Sequence, residues 1–215
     1  MKVENYLEYP LVIKEMKSAS SKGVYKANTK EEAIKLIEYI CRDGNENLIG
    51  KLKKYVKHVL KKNNSRFEDY KGIKRFLIQE FIHGLDSDWK VLVFGEKYYC
   101  LRRKVRQNDF RASGSGLFDF VEPPQALLDS AKVIFEKLDV PFISLDLAYD
   151  GKKTYIIEMQ GLNFGPITLV NSPHYFSKVN NKWTKVEGVS DLEDEYANAC
   201  LYYIRQIESK ARDNC

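Results

Sequence analysis

The alternation of apolar and polar positions along this 215-residue chain predicts short strands interspersed with amphipathic helices. Tyr9 to Met16 is mostly apolar with Lys14 embedded in it, and Val24 to Ala27 reads as a strand returning from the small, polar loop Lys17 to Gly23. Thr29-Lys30-Glu31-Glu32 is a capping box, and it opens a helix with Ala33, Ile34, Ile37 and Ile40 on one face. Asp43-Gly44-Asn45 ends that helix. A second helix is predicted from about Asn47 to Lys62, with Leu48, Leu52, Tyr55, Val56, Val59 and Leu60 on one face and lysines crowding the other. Arg75 to Ile82 reads as a strand. Trp89 to Phe94 and Lys97 to Arg103 flank Gly95-Glu96 as a hairpin. Arg106 to Phe120 reads as a loop or irregular strand. Pro123-Pro124 opens a helix carrying Leu127, Leu128, Ala131, Ile134, Phe135 and Leu138. A further hairpin joins Ser144 to Ala148 with Tyr155 to Gln160. Gly161 to Pro173 is loop-like. Ser190-Asp191-Leu192-Glu193 is a second capping box, opening a last helix with Leu192, Tyr196, Cys200, Tyr203 and Ile207 on one side. This order of elements is an α+β pattern, not regular βαβ winding.

Composition narrows the class. At 44% hydrophobic and 30% charged residues, the chain reads as a soluble globular protein with a sizeable core. No apolar run approaches the ~20 residues of a membrane span, and the N-terminus lacks an apolar signal core. The four cysteines are scattered, so a reduced, cytoplasmic setting is expected. The three histidines have no ligand-like spacing, which argues against zinc. A net charge of +5 is compatible with phosphate-bearing ligands and is weak support for nucleic acid.

Two places along the pattern carry chemistry. Asp146 and Glu158 each interrupt an apolar, strand-forming run, and the hairpin sets them on neighbouring strands. Side by side they repel unless a cation sits between them, and magnesium suits hard oxygen ligands; the alternative is two edge acids facing water. Lys14 sits in an apolar strand just before the loop Ser18 to Gly23, which contains Ser20, Ser21, Lys22 and Gly23. Such a loop suits polyphosphate, although the P-loop order is absent. The alternative is a snorkelling lysine beside a hairpin turn.

Taken in order, the segments resemble the ATP-grasp superfamily, and within it the RimK-type amino-acid ligase branch. The resemblance runs from Pro10 to about Pro166. It is carried by Pro10-Leu11-Val12-Ile13-Lys14, the Ser18 to Val24 loop, Gln79-Glu80-Phe81-Ile82, Asp88-Trp89-Lys90 with Phe94-Gly95, Arg103, Asp109-Phe110-Arg111, the Asp146 strand and Glu158-Met159-Gln160. It implies an ATP-grasp fold of two α+β subdomains with mixed and antiparallel sheets that grip a nucleotide. The smaller lid subdomain would be 1–78, and the larger one, with the metal site, 79–215. It further implies ATP and magnesium as cofactors and amide formation between a carboxylate and an amine through an acyl phosphate. By the same resemblance Lys14 meets the phosphates, and the loop with Ser20, Ser21, Lys22 and Gly23 closes over them. Gln79-Glu80-Phe81-Ile82 forms the hinge strand, where backbone groups of Glu80 and Ile82 read the adenine edge. Asp88 holds the ribose hydroxyls, and Arg103 faces the transferred phosphoryl group. Arg111 and Lys90 neutralise an acidic substrate or its phosphate. Asp146, Glu158 and Gln160 hold magnesium.

The chain departs from that family's pattern in three ways. Gln160 stands where the second metal strand usually carries Asn, with Asn163 close by as a substitute. Lys90 stands where the branch commonly has Arg, and the two are not equivalent for bidentate contacts. Only Met1 to Tyr9 precedes the first strand, where ATP-grasp ligases usually carry another α/β domain. A missing N-terminal domain or partner chain is therefore expected. The expected small-molecule partners are ATP with a carboxylate and amine pair or a peptide, and nucleic acid is not expected. Three other readings stand beside the ligase: a phosphotransferase on the same fold, a non-catalytic or truncated nucleotide-binding module, and a basic interaction domain using the lysine-rich helix.

Overall fold

The computed structural model describes residues 8–16, 23–41 and 75–213. The chain divides into Met1–Ile82 and His83–Cys215, each with its own sheet and core. The family resemblance implies a smaller subdomain of 1–78; in the compact units the strand through Glu80 pairs with the first sheet along its whole length, with Leu11 opposite Glu80 and Val12 opposite Gln79. The lysine-rich segment 47–62 and the loop residues Ser20, Ser21 and Lys22 lie outside the described residues.

In the first unit, alternation in β1 (Leu11–Glu15) sends Leu11 and Ile13 to one side, where both are fully buried. β2 (Val24–Ala27) and β3 (Phe76–Glu80) pair antiparallel on either side of β1. Helix α1 (Lys30–Cys41) covers this face with Ala33, Ile37 and Ile40, while Ile34 points outward and is exposed. Its start matches the capping logic in part. Thr29 Oγ1 accepts from the Glu32 backbone N–H at 3.3 Å, but the Glu32 carboxylate accepts from the backbone N–H of Asn28 rather than Thr29.

The second unit is a seven-stranded sheet. The strands β4 (Ser87–Phe94), β5 (Lys97–Lys104), β7 (Phe142–Tyr149), β8 (Thr154–Gln160), β9 (His174–Val179) and β10 (Lys182–Glu187) lie in the order β10-β9-β5-β4-β7-β8, with β6 (Phe118–Asp119) beside β5. All its pairings are antiparallel. One face packs Trp89, Val91, Val93, Tyr98, Cys100, Ile143, Leu145 and Leu147 against Leu127, Leu128 and Ala131 of α2 (Gln125–Leu138). A fully buried Val or Leu among these, such as Val91 or Leu145, contributes about 1.5–3 kcal/mol. The other face is apolar at one end. There Leu92, Phe94 and Tyr99 meet Phe164, Leu169 of the short helix α3 (Ile167–Val170) and Ala199 of α4 (Leu192–Asp213).

Residues 174–187, which no sequence signal above assigned, form the β9–β10 hairpin. Its two-residue turn is Asn180-Asn181, both in the left-handed region. The cap of α4 is Asp191, not Ser190. Asp191 Oδ1 accepts from the Asp194 N–H at 3.0 Å, whereas the Ser190 hydroxyl is taken by Tyr99 at 2.7 Å.

Candidate functional site

Side-chain alternation separates the second sheet into two chemistries. Residues 89, 91 and 93 of β4 enter the α2 core, so Asp88, Lys90, Leu92 and Phe94 occupy the opposite face. The same rule puts Arg103 of β5, Asp146 of β7 and, across the ladder, Glu158 and Gln160 of β8 on that face. Its apolar end lies under α3 and α4, and its other end is a stripe of charge. Register then makes the charged residues direct neighbours: Asp88 stands opposite Arg103, Lys90 opposite Asp146, and Asp146 opposite Glu158. Just beyond Asp146 the β7–β8 ladder slips, passing from Asp146 opposite Glu158 to Leu147 opposite Ile156. This is a bulge that re-aims the strand beside the acids.

The stripe is an alternating ion network. Arg103 grips Asp88 with Nε at 2.6 Å and Nη2 at 3.0 Å. Nη2 also reaches Asp146 at 2.9 Å, and Lys90 Nζ lies 3.2 Å from the other Asp146 oxygen. Burial drives the Asp88 carboxyl above the usual range, against the lowering pull of Arg103. For Arg103, burial works to lower the pKa, but the carboxylates of Asp146 and Asp88 outweigh it and the net shift is upward. Arg103 is therefore a permanent cation. Gln160 Nε2 donates to Glu158 Oε1 at 2.6 Å on the exposed rim.

Asp146, Glu158 and the amide oxygen of Gln160 make an all-oxygen donor set on one face. Magnesium takes one or two such carboxylates when water and phosphate complete its shell. Among the described residues no group of three or more His, Cys, Asp and Glu is arranged to hold a metal ion. Arg111 lies in the loop after β5, where it meets Asp109 through Nε and Nη2 at 2.8–3.0 Å. That hydrogen bond, with the backbone N–H groups of Arg111 and Phe110, holds the Asp109 carboxyl down to about 2.

In the first unit Lys14 stands opposite Val24 and Leu77, on the sheet face away from α1, half-buried. Val12, opposite Gln79 and Lys26, shares that face. Lys26 was not singled out from the sequence, and its Nζ lies 4.1 Å from the centroid of the Phe81 ring. The signal for it was the alternation itself, two places beyond Val24. Ser144 was also missed. It is buried on the polar face of the second sheet, opposite Gln160 and Leu92, two residues before Asp146. Cys100 is core, and burial pushes its thiol well up.

No family model matches the sequence, and no curated protein does. Solved structures do match. Phosphoribosylamine–glycine ligase from Thermotoga maritima aligns with 75% of this chain and 40% of its own at 22% identity and a TM-score of 0.48. D-alanine–D-alanine ligase from Bacillus anthracis, complexed with ATP, aligns over 75% and 46% at 16% identity and a TM-score of 0.44. A RimK domain ATP-grasp protein from Sphaerobacter thermophilus aligns over 73% and 45% at 14% identity and a TM-score of 0.36. The chain thus spans less than half the length of the solved chains it matches.

Proposed function

We propose that this chain binds magnesium–ATP and belongs to the chemistry of ATP-dependent carboxylate–amine ligation, in which a carboxylate is activated as an acyl phosphate and an amine then displaces phosphate. The observation that carries this reading is the Asp88–Arg103–Asp146–Lys90 network with Glu158 directly across from Asp146. It is a compact array of fixed cations and hard oxygen donors on one sheet face. Phosphoryl transfer asks little covalent chemistry of a protein and a great deal of positioning and charge neutralisation. Such an array meets that demand.

Asp146 and Glu158, with Gln160, are the residues that would hold magnesium. When bound, the ion neutralises phosphate charge and orients the oxygens for in-line transfer. Arg103 and Lys90 supply further positive charge to a phosphate from the same face. Arg111, steadied by Asp109, is proposed to meet the acidic substrate. In the first unit Lys14 and Gly23, with Ser20, Ser21 and Lys22, are proposed to meet the phosphates, and Gln79, Glu80, Phe81 and Ile82 the adenine. No nucleophilic side chain is required, in keeping with a buried, inert Cys100.

Calorimetric titration with ATP, with and without magnesium, tests the reading. Wild type should bind in a magnesium-dependent way, and Glu158→Ala should weaken that binding by roughly tenfold or more, because the ion loses a carboxylate ligand. An unchanged affinity in Glu158→Ala would remove the metal assignment. Trapping with hydroxylamine then separates an acyl phosphate from a phosphate ester.

A further inference from the structure

The grip between Asp88 and Arg103 has no place in a ribose-binding role for Asp88. Asp88 is 7% exposed, and both of its carboxylate oxygens are engaged by one guanidinium. A ribose hydroxyl would have to compete with a bidentate, charge-assisted pair, the stronger class of hydrogen bond. The partner's geometry points the other way. Arg103 spends Nε and Nη2 on Asp88 and shares Nη2 with Asp146. A guanidinium has five N–H donors in a rigid fork, and the two on Nη1 are used by neither carboxylate. The pair is also built into the fold. Asp88 and Arg103 are cross-strand partners in the β4–β5 hairpin, whose turn closes with Phe94 opposite Lys97. Asp88 is therefore fixed by the sheet, and it fixes the guanidinium in turn. Asp146, on the neighbouring ladder, is the second hold and meets Nη2 at 2.9 Å.

We propose that Asp88 is a positioning residue for Arg103. It clamps the guanidinium through Nε and Nη2 so that Nη1 is presented to the terminal phosphate of a bound nucleoside triphosphate. Arg103 stays anchored on Asp88 even when a cation draws Asp146 away. The inference rests on the nucleotide reading above and departs from the family resemblance on the role of Asp88.

The test is calorimetry on the full chain with magnesium, using ATP, ADP and 2′,3′-dideoxy-ATP. It compares wild type, Asp88→Asn, Arg103→Met and the double variant. Asp88→Asn should weaken ATP and dideoxy-ATP equally, by about tenfold, as expected when a charge-assisted hydrogen bond to phosphate is pulled out of line. ADP, which lacks the terminal phosphate, should be weakened far less. The double variant should bind ATP within about twofold of Arg103→Met alone, because two residues acting through one interaction are not additive.

A penalty seen with ATP and absent with dideoxy-ATP would return Asp88 to the ribose and overturn the proposal. An equal penalty for ATP and ADP would mark general damage to the sheet and overturn it too, as would full additivity. Wild type binding none of the three ligands would instead sink the nucleotide reading on which it rests. Should Asp88→Asn not fold, Asp88→Glu keeps the buried charge pair and moves it by one methylene, and it carries the same ATP-against-ADP comparison.

Discussion

His174 is 3% exposed, and neither ring nitrogen has a hydrogen-bond partner among the described residues. Its Nδ1 lies 4.0 Å from Glu187, and its ring meets Phe176 edge-on. Burial, with the nearby Lys185, lowers its pKa against the opposing pull of Glu187 and Glu122. The folded state therefore prefers the neutral imidazole, while the unfolded chain takes up a proton near its ordinary value of about 6.5. The stabilising difference is complete above that value and is lost as the pH falls from there towards the folded pKa. Thermal unfolding should accordingly show the melting temperature dropping between pH 7.5 and pH 5.5, with a shallower slope in His174→Gln; equal slopes would mean that His174 is not the titrating group. Nothing in the sequence around His174 pointed to this. The Asp88–Arg103 pair was not drawn from the sequence either, although its register was countable. A two-residue turn at Gly95-Glu96 fixes which residues of the hairpin stand opposite one another, so counting outward from it puts Asp88 across from Arg103. Lys90 against Asp146 could not be counted this way, because β4 and β7 are far apart in sequence and their register is set only by packing.

Among the elements, those with local signals were legible. β2 runs over Val24–Ala27 and the helix after Pro123-Pro124 over Gln125–Leu138, each where the apolar spacing put it. The β9–β10 hairpin escaped because its strands mix His, Ser, Lys and Thr with aromatics, which hides the alternation. Its one clear mark was the Asn-Asn pair, a residue type that tolerates the left-handed turn. The hairpin that sets the Asp88–Arg103 register has its own constraint. Gly95 has φ +56°, and a Cβ there would stand 3.4 Å from the Tyr202 ring. Gly95→Ala should lower stability by roughly 1–2 kcal/mol through backbone strain alone, read as a fall in the urea midpoint. An unchanged midpoint would show that the turn accepts a side chain and imposes no such constraint.

At the scale of the whole molecule, alternation and hairpin signals were enough to give an α+β chain, while the mixed and antiparallel sheets came from the family resemblance; the described pairings are all antiparallel. Alternation and hairpin signals did not give the strand order, which depends on pairings between distant segments such as β4 with β7 and β5 with β9. No described helix is long and apolar enough to cross a membrane. The strand order carries one consequence for the acids. Asp146 lies on β7, held by β4 on one side and β8 on the other, whereas Glu158 lies on β8, the last strand of the sheet among the described residues. One acid is thus bolted to the interior of the sheet and the other to its margin, where ladders open most readily. An ion held by both acids would work as a clasp on that margin. Amide hydrogens of β8 should then exchange with deuterium more slowly when magnesium and ATP are added, while those of β7, already locked, change little. Equal slowing of both strands, or of neither, would show that the margin does not fray in the way the strand order implies.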